Sequence, residues 1–421
     1  MQVFKFGGAS VKDAASVRNV STIIRREPAR KLVVVVSAMG KTTNALEELT
    51  WAYLRRDEEA QQRFWQQVRN YHESIMQELA AGEQGLDFGS VYDSFAAVEA
   101  ILEDEPDANP DLVYDQLVSF GEVISTQIVN AYLNATGLDS IWVDARRLIR
   151  TDNSFREGNV RWDRTCTFIE QTLLDLLHGS VVITQGFVGG TTHGETTTLG
   201  REGSDYSAAI FAHCLNAKGV TIWKDVPGVL NADPKWFDET VLIEQLSYQD
   251  AIELAYYGAT VIHPKTIKPL QNKNIPLWVR SFVNPDARGT VIGPFTDHLR
   301  VPSFIFKMDQ MLISLHPRDF SFIAEDNLSR IFGVFADMGV RINLMQNTAI
   351  SFSVSIDNKP DKVPALLERL KEDFRVTYNE GLELITIRYY DEATIDRVLT
   401  GKRMLLEQKS RYTVQLVVKN L

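Results

Sequence analysis

The chain lacks the features of a disulfide-framed or membrane-spanning protein. Cys166 and Cys214 are its only cysteines, which are too few for a disulfide framework, and neither has a second cysteine or histidine at the spacing of metal ligands. We therefore expect two reduced thiols in the core. The longest apolar runs, such as residues 32–36, have the length of a strand, and Met1 leads directly into a strand pattern without a signal region. These absences predict a soluble, cytoplasmic protein.

Positive charge is also scarce. Lys and Arg number 44 against 55 Asp and Glu, which gives a formal net charge of −11. This balance argues against a nucleic-acid partner, and it means that local cations must hold any small anionic ligand, because the field of the whole protein repels it. The chain has 421 residues and 44% hydrophobic content, and it is longer than a single hydrophobic core usually supports. We therefore expect one large domain and one or two small ones.

The densest cluster of glycine, hydroxyl and charged residues lies between residues 181 and 228. A β-branched run at 181–184 predicts a buried strand, and the glycines at 186, 189 and 190 predict a turn after it. Ser204 suits a helix N-cap and helical spacing follows, so a helix is expected to start at Ser204 or Asp205. The N–H groups of that helix start, together with Arg201, suit an anion. The alternative is a glycine-rich turn with an acidic helix cap at Asp205.

A second strand, glycine turn and helix opens the chain. Residues 3–6 predict a strand, Gly7 and Gly8 follow, and helical spacing resumes near Val17. Lys5 lies near the strand end, and lysine is a mobile point charge suited to phosphate. The alternative is a surface lysine on an edge strand. Two loops of phosphate-binding type in one chain favour the first interpretation.

Seven segments together resemble the aspartokinases. In the order of that family they are KFGGASV (5–11), VVVVSAMGKTTN (33–44), SFGEVIST (119–126), VDARRLIRTD (143–152), TTTLGREGSD (196–205), WKDVPGV (223–229) and YGATVIHPKT (257–266). The resemblance implies an α/β amino acid kinase fold, a mostly parallel sheet sandwiched by helices, over residues 1–295. Helical spacing over 45–115 predicts a lobe of two or three amphipathic helices within it.

The resemblance also implies ATP as the phosphoryl donor. Lys5 is then a catalytic residue at the transferring phosphate, with Mg²⁺ bridging phosphate oxygens and no protein ligand of the metal assigned. Thr260 stands where many relatives carry an ATP-contacting lysine, and Lys265 either replaces that charge or is simply exposed. The residues implied to bind the nucleotide are Lys5, Phe6, Gly7, Gly8, Ser37, Lys224, Asp225, Leu230, Lys235, Thr260, Val261 and Lys265.

L-aspartate is the implied acceptor. Its side-chain carboxylate has a reference pKa of ~3.9 and is ionised at pH 7, so transfer needs no general base; Asp205, the second implied catalytic residue, is expected to hold Lys5 or another loop cation in register. In the family the glutamate at Glu122 faces the substrate α-ammonium, whereas without the resemblance Glu122 is a first-turn helix residue stabilised by the dipole. The residues implied to bind the substrate are Thr43, Glu122, Arg201 and Ser204.

The composition changes at residue 283. From Val283 to Ser303 the sequence is rich in Asn, Pro, Gly and Arg, which indicates a linker. Beyond it, the order βαββαβ predicts a smaller α+β ferredoxin-like domain over 303–380, and the run at 332–356 is similar to an ACT domain. Residues 381–421, with two strand patterns around one short helix, resemble a shortened second ACT module. The resemblance implies an amino-acid effector, a homodimer or homotetramer, and the monofunctional form of the enzyme. Lysine-inhibited relatives tend to carry acidic residues where Asn343 and Ala349 stand, so the effector stays unassigned.

Two other functions compete with aspartate phosphorylation. A glutamate or acetylglutamate kinase would share the nucleotide loops, but lacks the ACT pattern and the SFGE context of Glu122. A regulator that binds an effector with a silenced kinase lobe would have lost Lys5, Arg201 or Asp205, and all three are present.

Overall fold

The computed structural model describes residues 1–27, 31–237, 239–259, 262–296, 300–319 and 321–421. Contacts divide the chain into two compact units. The first comprises Met1–Val229, Glu244–Ile252 and Val261–His298, and the second comprises Leu230–Ile243, Glu253–Thr260 and Leu299–Leu421. No helix in the described ranges is long and apolar enough to cross a membrane.

Besides one short 3-10 helix (Gly8–Val11), the chain up to residue 293 contains ten strands and eleven α-helices in the described ranges. In chain order they are β1 (Gln2–Phe6), α1 (Ala14–Arg25), β2 (Leu32–Val36), α2 (Thr42–Leu54), α3 (Glu58–Ala80), α4 (Gly89–Glu103), α5 (Pro110–Val118), α6 (Phe120–Ala135), β3 (Ser140–Val143), α7 (Ala145–Leu148), α8 (Trp162–Leu176), β4 (Val181–Gln185), β5 (Val188–Gly190), β6 (Thr196–Thr198), α9 (Gly203–Cys214), β7 (Val220–Lys224), β8 (Gln245–Ser247), α10 (Tyr248–Tyr257), α11 (Pro264–Gln271), β9 (Leu277–Ser281) and β10 (Thr290–Gly293).

The first unit is built on an eight-stranded, mostly parallel sheet. Its strand order is β3-β4-β2-β1-β7-β9-β10-β8, and among the described strand pairs of this sheet only β9–β10 is antiparallel. The central strands are buried along almost their whole length, as expected for strands covered on both faces. This confirms the predicted α/β class, and it places β1 between two neighbours rather than at an edge. β10 lies inside the stretch that was expected to be a linker.

The lobe beside the sheet has one helix more than expected. Four helices, α2 to α5, cover the region in which two or three were predicted. Asp57 caps α3 by accepting from the Ala60 N–H, and Asn109 caps α5, which has Pro110 at its first position. The loops before and after α4 contain the glycines and the proline that commonly break helices.

The two cysteines are not separate thiols. Cys166 on α8 and Cys214 on α9 form a disulfide with their Cα atoms 4.7 Å apart, so the prediction of reduced core thiols is wrong. The residues are 48 positions apart in sequence, and their pairing follows from the packing of α8 on α9, which a count of cysteines does not reveal.

The second unit contains a six-stranded antiparallel sheet. Its elements after residue 300 are β11 (Ser303–Pro317), α12 (Glu325–Asp337), β12 (Ile342–Asn347), β13 (Phe352–Asp357), α13 (Val363–Asp373), β14 (Phe374–Arg388), α14 (Glu392–Leu399), β15 (Lys402–Lys409) and β16 (Thr413–Asn420). The strand order is β12-β13-β11-β14-β16-β15. The order βαββαβ up to residue 388 is the predicted ferredoxin-like plan, with α12 and α13 packed on one core.

The long strands β11 and β14 pair with each other at the centre of this sheet. The first residues of β11 pair with the last residues of β14, and a register shift near Lys307 and Gln310 separates this pairing from the one that continues to Pro317. β16 then pairs with the end of β14, and β15 forms the edge. The last forty residues thus contain three strand segments, the end of β14, β15 and β16, where two strand patterns were predicted. The sequence of β15, KRMLLEQK, is mostly polar and does not alternate clearly.

Candidate functional site

A cavity of about 770 Å³ in the first unit opens where several strands of the parallel sheet end. Residues at or just after the ends of β1, β2, β4 and β7 line it, as expected at the carboxyl edge of an open α/β sheet. Much of the predicted site lies together here. The predicted residues that line it are Lys5, Gly8, Ser37, Thr43, Glu122, Arg201, Ser204, Asp205 and Lys224.

Two glycines allow the strand ends to meet closely. A Cβ at Gly8 would lie 2.7 Å from the carbonyl oxygen of Ala38, and one at Gly186 would lie 2.5 Å from the Cβ of Ser204. The turn after β1 therefore packs backbone against backbone on the turn after β2, and the turn after β4 packs on the start of α9. The glycine turns from separate strands thus converge on one cavity.

Lys5, Asp205 and Lys224 form the charged centre of the cavity. The Lys5 Nζ lies 2.7 Å from one carboxylate oxygen of Asp205, and the Lys224 Nζ lies 3.6 Å from the other. Burial by itself would raise the pKa of Asp205, but the two ammonium groups outweigh it and hold that pKa below its ordinary value. Asp205 is therefore an ionised carboxylate between two lysines, which is unsuited to act as a base.

Glu122 lies in the first turn of α6 and is almost completely buried. One of its carboxylate oxygens accepts a hydrogen bond from the Ala38 N–H at 3.2 Å, while the other has no hydrogen-bond partner in the described part of the chain. Burial raises the pKa of Glu122 to about 8, although the Ala38 N–H and the Lys5 charge oppose the rise. A buried carboxylate with an unmatched oxygen in a cavity suits a cationic ligand group.

The start of α9 differs from the expectation. The helix begins at Gly203 and its N-cap is Glu202, which has a positive φ of 54° and makes no side-chain cap hydrogen bond. The prediction that Ser204 caps the helix is wrong, because Ser204 is already within the first turn. Ser204 and Asp205 instead belong to the cavity wall.

Another wall of the cavity comes from residues that the sequence did not single out. The Tyr114 hydroxyl donates a hydrogen bond to Glu47 at 2.6 Å. Burial is the main cause that raises the pKa of Tyr114, and the neighbouring Glu47 carboxylate raises it further. Beside them lie Arg156 and Thr198. The sequence signal for this wall was weak, because Glu47 and Tyr114 lie in a lobe of amphipathic helices, whose charged residues ordinarily face solvent. Glu157 and Phe187 also line the cavity.

Asp115 holds this wall together from beneath. It is fully buried and accepts hydrogen bonds from the Arg156 N–H at 2.8 Å, the Thr198 N–H at 2.9 Å and the Thr198 hydroxyl at 2.7 Å. Burial raises the pKa of Asp115, and these donors oppose the rise. The carboxylate thus fixes the loop around Arg156 to β6.

The rest of the predicted nucleotide set is not gathered in this cavity. Phe6 is buried in the core, where its ring stacks on Trp223 at 6.1 Å, and Gly7 lies beside the Lys5 ammonium. Asp225 is exposed, as is Lys265 in the first turn of α11, where the Lys265 N–H donates to His263. Leu230 and Lys235 belong to the second unit, and Thr260 and Val261 lie outside the described residues. A nucleotide role for these residues stays a prediction.

Among the described residues, no magnesium site is formed by protein side chains alone. The described residues contain no group of three His, Cys, Asp or Glu side chains arranged to hold a metal ion, and Asp205 is already paired with two lysines. Mg²⁺ that arrives on a nucleotide is held largely by phosphate oxygens and water, and it does not require such a cage.

Comparisons with known proteins agree with this geometry. The profile of the amino acid kinase family matches residues 1–281. Lysine-sensitive aspartokinase 3 of Escherichia coli is 30% identical over 395 residues, which cover 91% of this chain and 86% of that protein. The bifunctional aspartokinase/homoserine dehydrogenase 2 of Arabidopsis thaliana chloroplasts is 30% identical over 397 residues, which cover 90% of this chain and 42% of that protein.

A solved structure shows the same fold along nearly the whole chain. The crystal structure of E. coli aspartokinase III in complex with aspartate and ADP has a TM-score of 0.82 and 27% sequence identity, and the match covers 99% of this chain and 96% of that one. Sequence and fold therefore agree over most of the chain, and this protein belongs to the amino acid kinase family and, within it, to the aspartokinases.

Proposed function

We propose that this protein transfers the γ-phosphoryl group of ATP to the side-chain carboxylate of L-aspartate, giving 4-phospho-L-aspartate and ADP. The observation that carries the proposal is a single cavity that holds a lysine–aspartate–lysine centre and a buried glutamate. The first group suits a transferring phosphate and the second suits an amino acid's ammonium. In biosynthesis, this product is the activated acid that begins the route to lysine, threonine and methionine.

Charge neutralisation is the main task of the site. Phosphoryl transfer passes through a loose transition state, so the enzyme chiefly positions two anions and stabilises the charge between them. Lys5 and Lys224 supply positive charge at the transferring group, and the turn amides of Gly7 and Gly8 assist them. Asp205 keeps both ammonium groups in register, since its carboxylate is ionised and contacts each of them. The acceptor carboxylate is already ionised at pH 7 and needs no base.

The acceptor amino acid is held by groups of complementary charge. Glu122 receives the α-ammonium at its unmatched carboxylate oxygen, and the cation lowers the pKa of Glu122 from its raised value. Arg201 grips a carboxylate with its planar fork, and Ser204 and Thr43 supply hydroxyl groups from the cavity wall. Ser37 lies on the same wall at the end of β2.

ATP binds with Mg²⁺ through its phosphates, and no protein ligand of the metal is assigned. The second unit is an ACT-type regulatory region that binds an amino-acid effector. Lysine is disfavoured, because Asn343 and Ala349 carry no charge; Asn343 instead accepts a hydrogen bond from Lys307 at 2.8 Å. The active form is a homodimer or homotetramer in the cytoplasm.

The direct test is ADP release with L-aspartate, L-glutamate, N-acetylglutamate or water as the acceptor, with hydroxylamine added to trap an acyl phosphate as the hydroxamate. Aspartate alone should give both ADP and hydroxamate. A preference for either glutamate compound would assign another amino acid kinase activity. Release of no ADP with any acceptor would favour the alternative of a non-catalytic, effector-binding regulator. Release of ADP without hydroxamate would indicate hydrolysis of ATP.

A further inference from the structure

We propose that a basic cavity in the second unit binds a small molecule through a phosphate or diphosphate group. The cavity has a volume of about 700 Å³ and lies where β11 ends and β14 begins. Among the residues that the structure describes, four basic ones and no acidic one line it, and the basic residues are His316, Arg318, Lys371 and Arg375. The site does not depend on the proposed phosphoryl transfer, whose residues belong to the first unit.

The pairing of β11 with β14 places two of these basic residues opposite each other. His316 pairs with Arg375 in the antiparallel register, and Pro317 pairs with Phe374. Side chains at paired positions lie on the same face of a sheet, and successive residues alternate between its faces. Phe374 is buried in the core that the sheet shares with α12 and α13. His316 and Arg375 therefore lie on the opposite face, where Arg375 is exposed.

Arg318 and Lys371 have a structural role that accounts for part of their bonding. The Arg318 guanidinium donates a hydrogen bond to the carbonyl oxygen of Lys371 in the last turn of α13, where helix carbonyl groups favour a cation. The Lys371 ammonium pairs with Glu368 at 2.7 Å, but both side chains are largely exposed, so this pair contributes little. Each group has further N–H donors that a ligand can use.

His316 and Arg375 are not accounted for in this way. The Arg375 side chain makes no ion pair or hydrogen bond in the described ranges. The His316 Nδ1 donates to the Ile350 carbonyl oxygen at 3.2 Å, which leaves Nε2 on the other side of the ring. Cations gathered around one cavity repel each other, and the chain has acidic residues in excess, with a net charge of −11. A bound anion supplies the negative charge that this wall lacks.

The number and type of these groups favour a phosphate compound over a single carboxylate. Three cationic side chains and an imidazole can neutralise more than one negative charge, and the planar guanidinium groups of Arg318 and Arg375 match pairs of phosphate oxygens. The volume is also within the range of small-molecule sites. Apolar side chains complete the lining, and they are Pro317, Ile350, Phe374 and Val376. The group that binds is either a free phosphate or diphosphate, or one attached to an organic body such as a nucleoside.

Modification of arginine by phenylglyoxal, mapped by peptide mass spectrometry, tests the site in the full-length protein. The reaction is followed at Arg318 and Arg375 with and without pyrophosphate, in the absence of Mg²⁺ and at constant ionic strength. Arg403 is the internal control, because it is an exposed arginine on β15 of the same sheet and its side chain makes no ion pair or hydrogen bond in the described ranges. Separate arms replace pyrophosphate by ADP, or by citrate, a multiply charged anion without phosphate.

We expect pyrophosphate in tenfold excess over its Kd to slow modification of Arg318 and Arg375 about tenfold, and to leave Arg403 unchanged. Citrate should protect far less. Protection by ADP equal to that by pyrophosphate would identify a nucleotide as the source of the phosphate group, whereas protection by pyrophosphate alone would identify the free anion.

A pair of variants locates the binding group. In Arg375→Thr, the pyrophosphate concentration that half-protects Arg318 should rise about tenfold or more, because a charge-assisted hydrogen bond is lost. Threonine suits a strand, so the sheet should be retained. The matched variant Arg403→Thr should leave that concentration unchanged.

The inference would be overturned by equal protection of Arg403, by no protection of Arg318 and Arg375, or by citrate that protects as well as pyrophosphate. Half-protection of Arg318 that does not shift in Arg375→Thr would also contradict it. The wild-type protein alone decides the first three outcomes, so the test stands even if this variant does not fold. Failure here leaves the proposed aspartate kinase activity intact, since ADP and hydroxamate formation measure that activity separately.

Discussion

Lys5 in the first unit and Lys307 in the second both lie on strands, but the groups that surround their ammonium groups differ. Lys5 ends a parallel strand and pairs with an ionised carboxylate at 2.7 Å beside a cavity. Lys307 lies within antiparallel β11, where its Nζ donates to the neutral amide of Asn343 at 2.8 Å. Burial lowers the pKa of Lys307, and Asp357 opposes this shift.

The difference follows from the two kinds of sheet. Parallel strands end at one edge, where turns leave backbone N–H groups and charges facing an open space. Inside an antiparallel sheet, side chains meet partners on neighbouring strands: Asn343 donates to Gln310 at 2.9 Å and to Asp357 at 2.8 Å. A charged centre at a strand end can meet a ligand, whereas a satisfied network within a sheet chiefly specifies the packing.

The largest expected effect separates these two lysines. Lys5→Met should lower kcat by ~10²-fold or more, because it removes a preorganised charge at the transferring phosphate. Lys307→Met, the matched control in the second unit, should leave kcat without effector within about twofold. Steady-state kinetics at saturating ATP and aspartate measures both. Near-normal turnover of Lys5→Met would remove Lys5 from the mechanism.

Glu122→Gln should raise KM for aspartate about 10- to 100-fold, since the α-ammonium loses a charged partner. In the wild type, kcat/KM for aspartate should rise as the pH passes upward through about 8, where Glu122 ionises. The variant should lack this rise. A rise that persists in Glu122→Gln would assign the titration to another group.

The same substitution tests stability. A carboxyl group whose pKa is raised in the folded state stabilises the fold at low pH, and this contribution is lost as the pH rises through the folded-state value. The wild-type free energy of unfolding should therefore fall between about pH 5 and 8 more steeply than that of Glu122→Gln. Urea denaturation across this range measures the difference, and parallel curves would contradict the burial of an ionisable Glu122.

Arg201→Ala should raise KM for aspartate about tenfold and KM for ATP far less. Its side chain makes no ion pair or hydrogen bond elsewhere in the described ranges, so its loss should affect the acceptor rather than the fold. Equal changes in both constants would reassign Arg201 to the nucleotide. Initial rates with each substrate varied in turn provide the measurement.

The smallest effect on turnover is expected from the disulfide. Cys166→Ser should leave kcat nearly unchanged, because Cys214 lies at the opposite end of α9 from Asp205. It should lower the free energy of unfolding by about 4 kcal/mol, the loop-entropy value for a 48-residue closure. A reductant should destabilise the wild type and not the variant. Equal urea midpoints under oxidising conditions would show that the pair does not constrain this unit.

Local sequence was sufficient for the elements that carry a strong pattern. The apolar strands before Gly7 and Gly186, the helix that begins near Asp205, and the βαββαβ order after residue 300 all follow from periodicity and turn residues. The N-cap of α9 was misassigned. The residue before the helix is Glu202 in a left-handed conformation, and Ser204, whose hydroxyl side chain suggested a cap, lies within the first turn. Three strand segments follow residue 381 where two were predicted, and a polar edge strand such as β15 has little apolar alternation to reveal it.

The cavity wall around Tyr114 and Arg156 had only a weak local signal. Its residues come from α2, α5 and the loop before α8, and Asp115 joins segments 83 residues apart in sequence by its bond to Thr198. Contacts of this kind depend on how helices pack, and residue types along one segment do not encode that packing.

The sequence by itself determined the strand–glycine–helix units, the ferredoxin-like order and the identity of the charged residues, because these depend on the spacing of apolar side chains and on backbone geometry within a few residues. Only the tertiary structure decided that Lys5 and Lys224 share Asp205, that Glu122 is buried with a raised pKa, and that Cys166 meets Cys214. The physical reason is that ion pairing, desolvation and disulfide bonding depend on distances in space, and those distances are fixed when separate elements pack together.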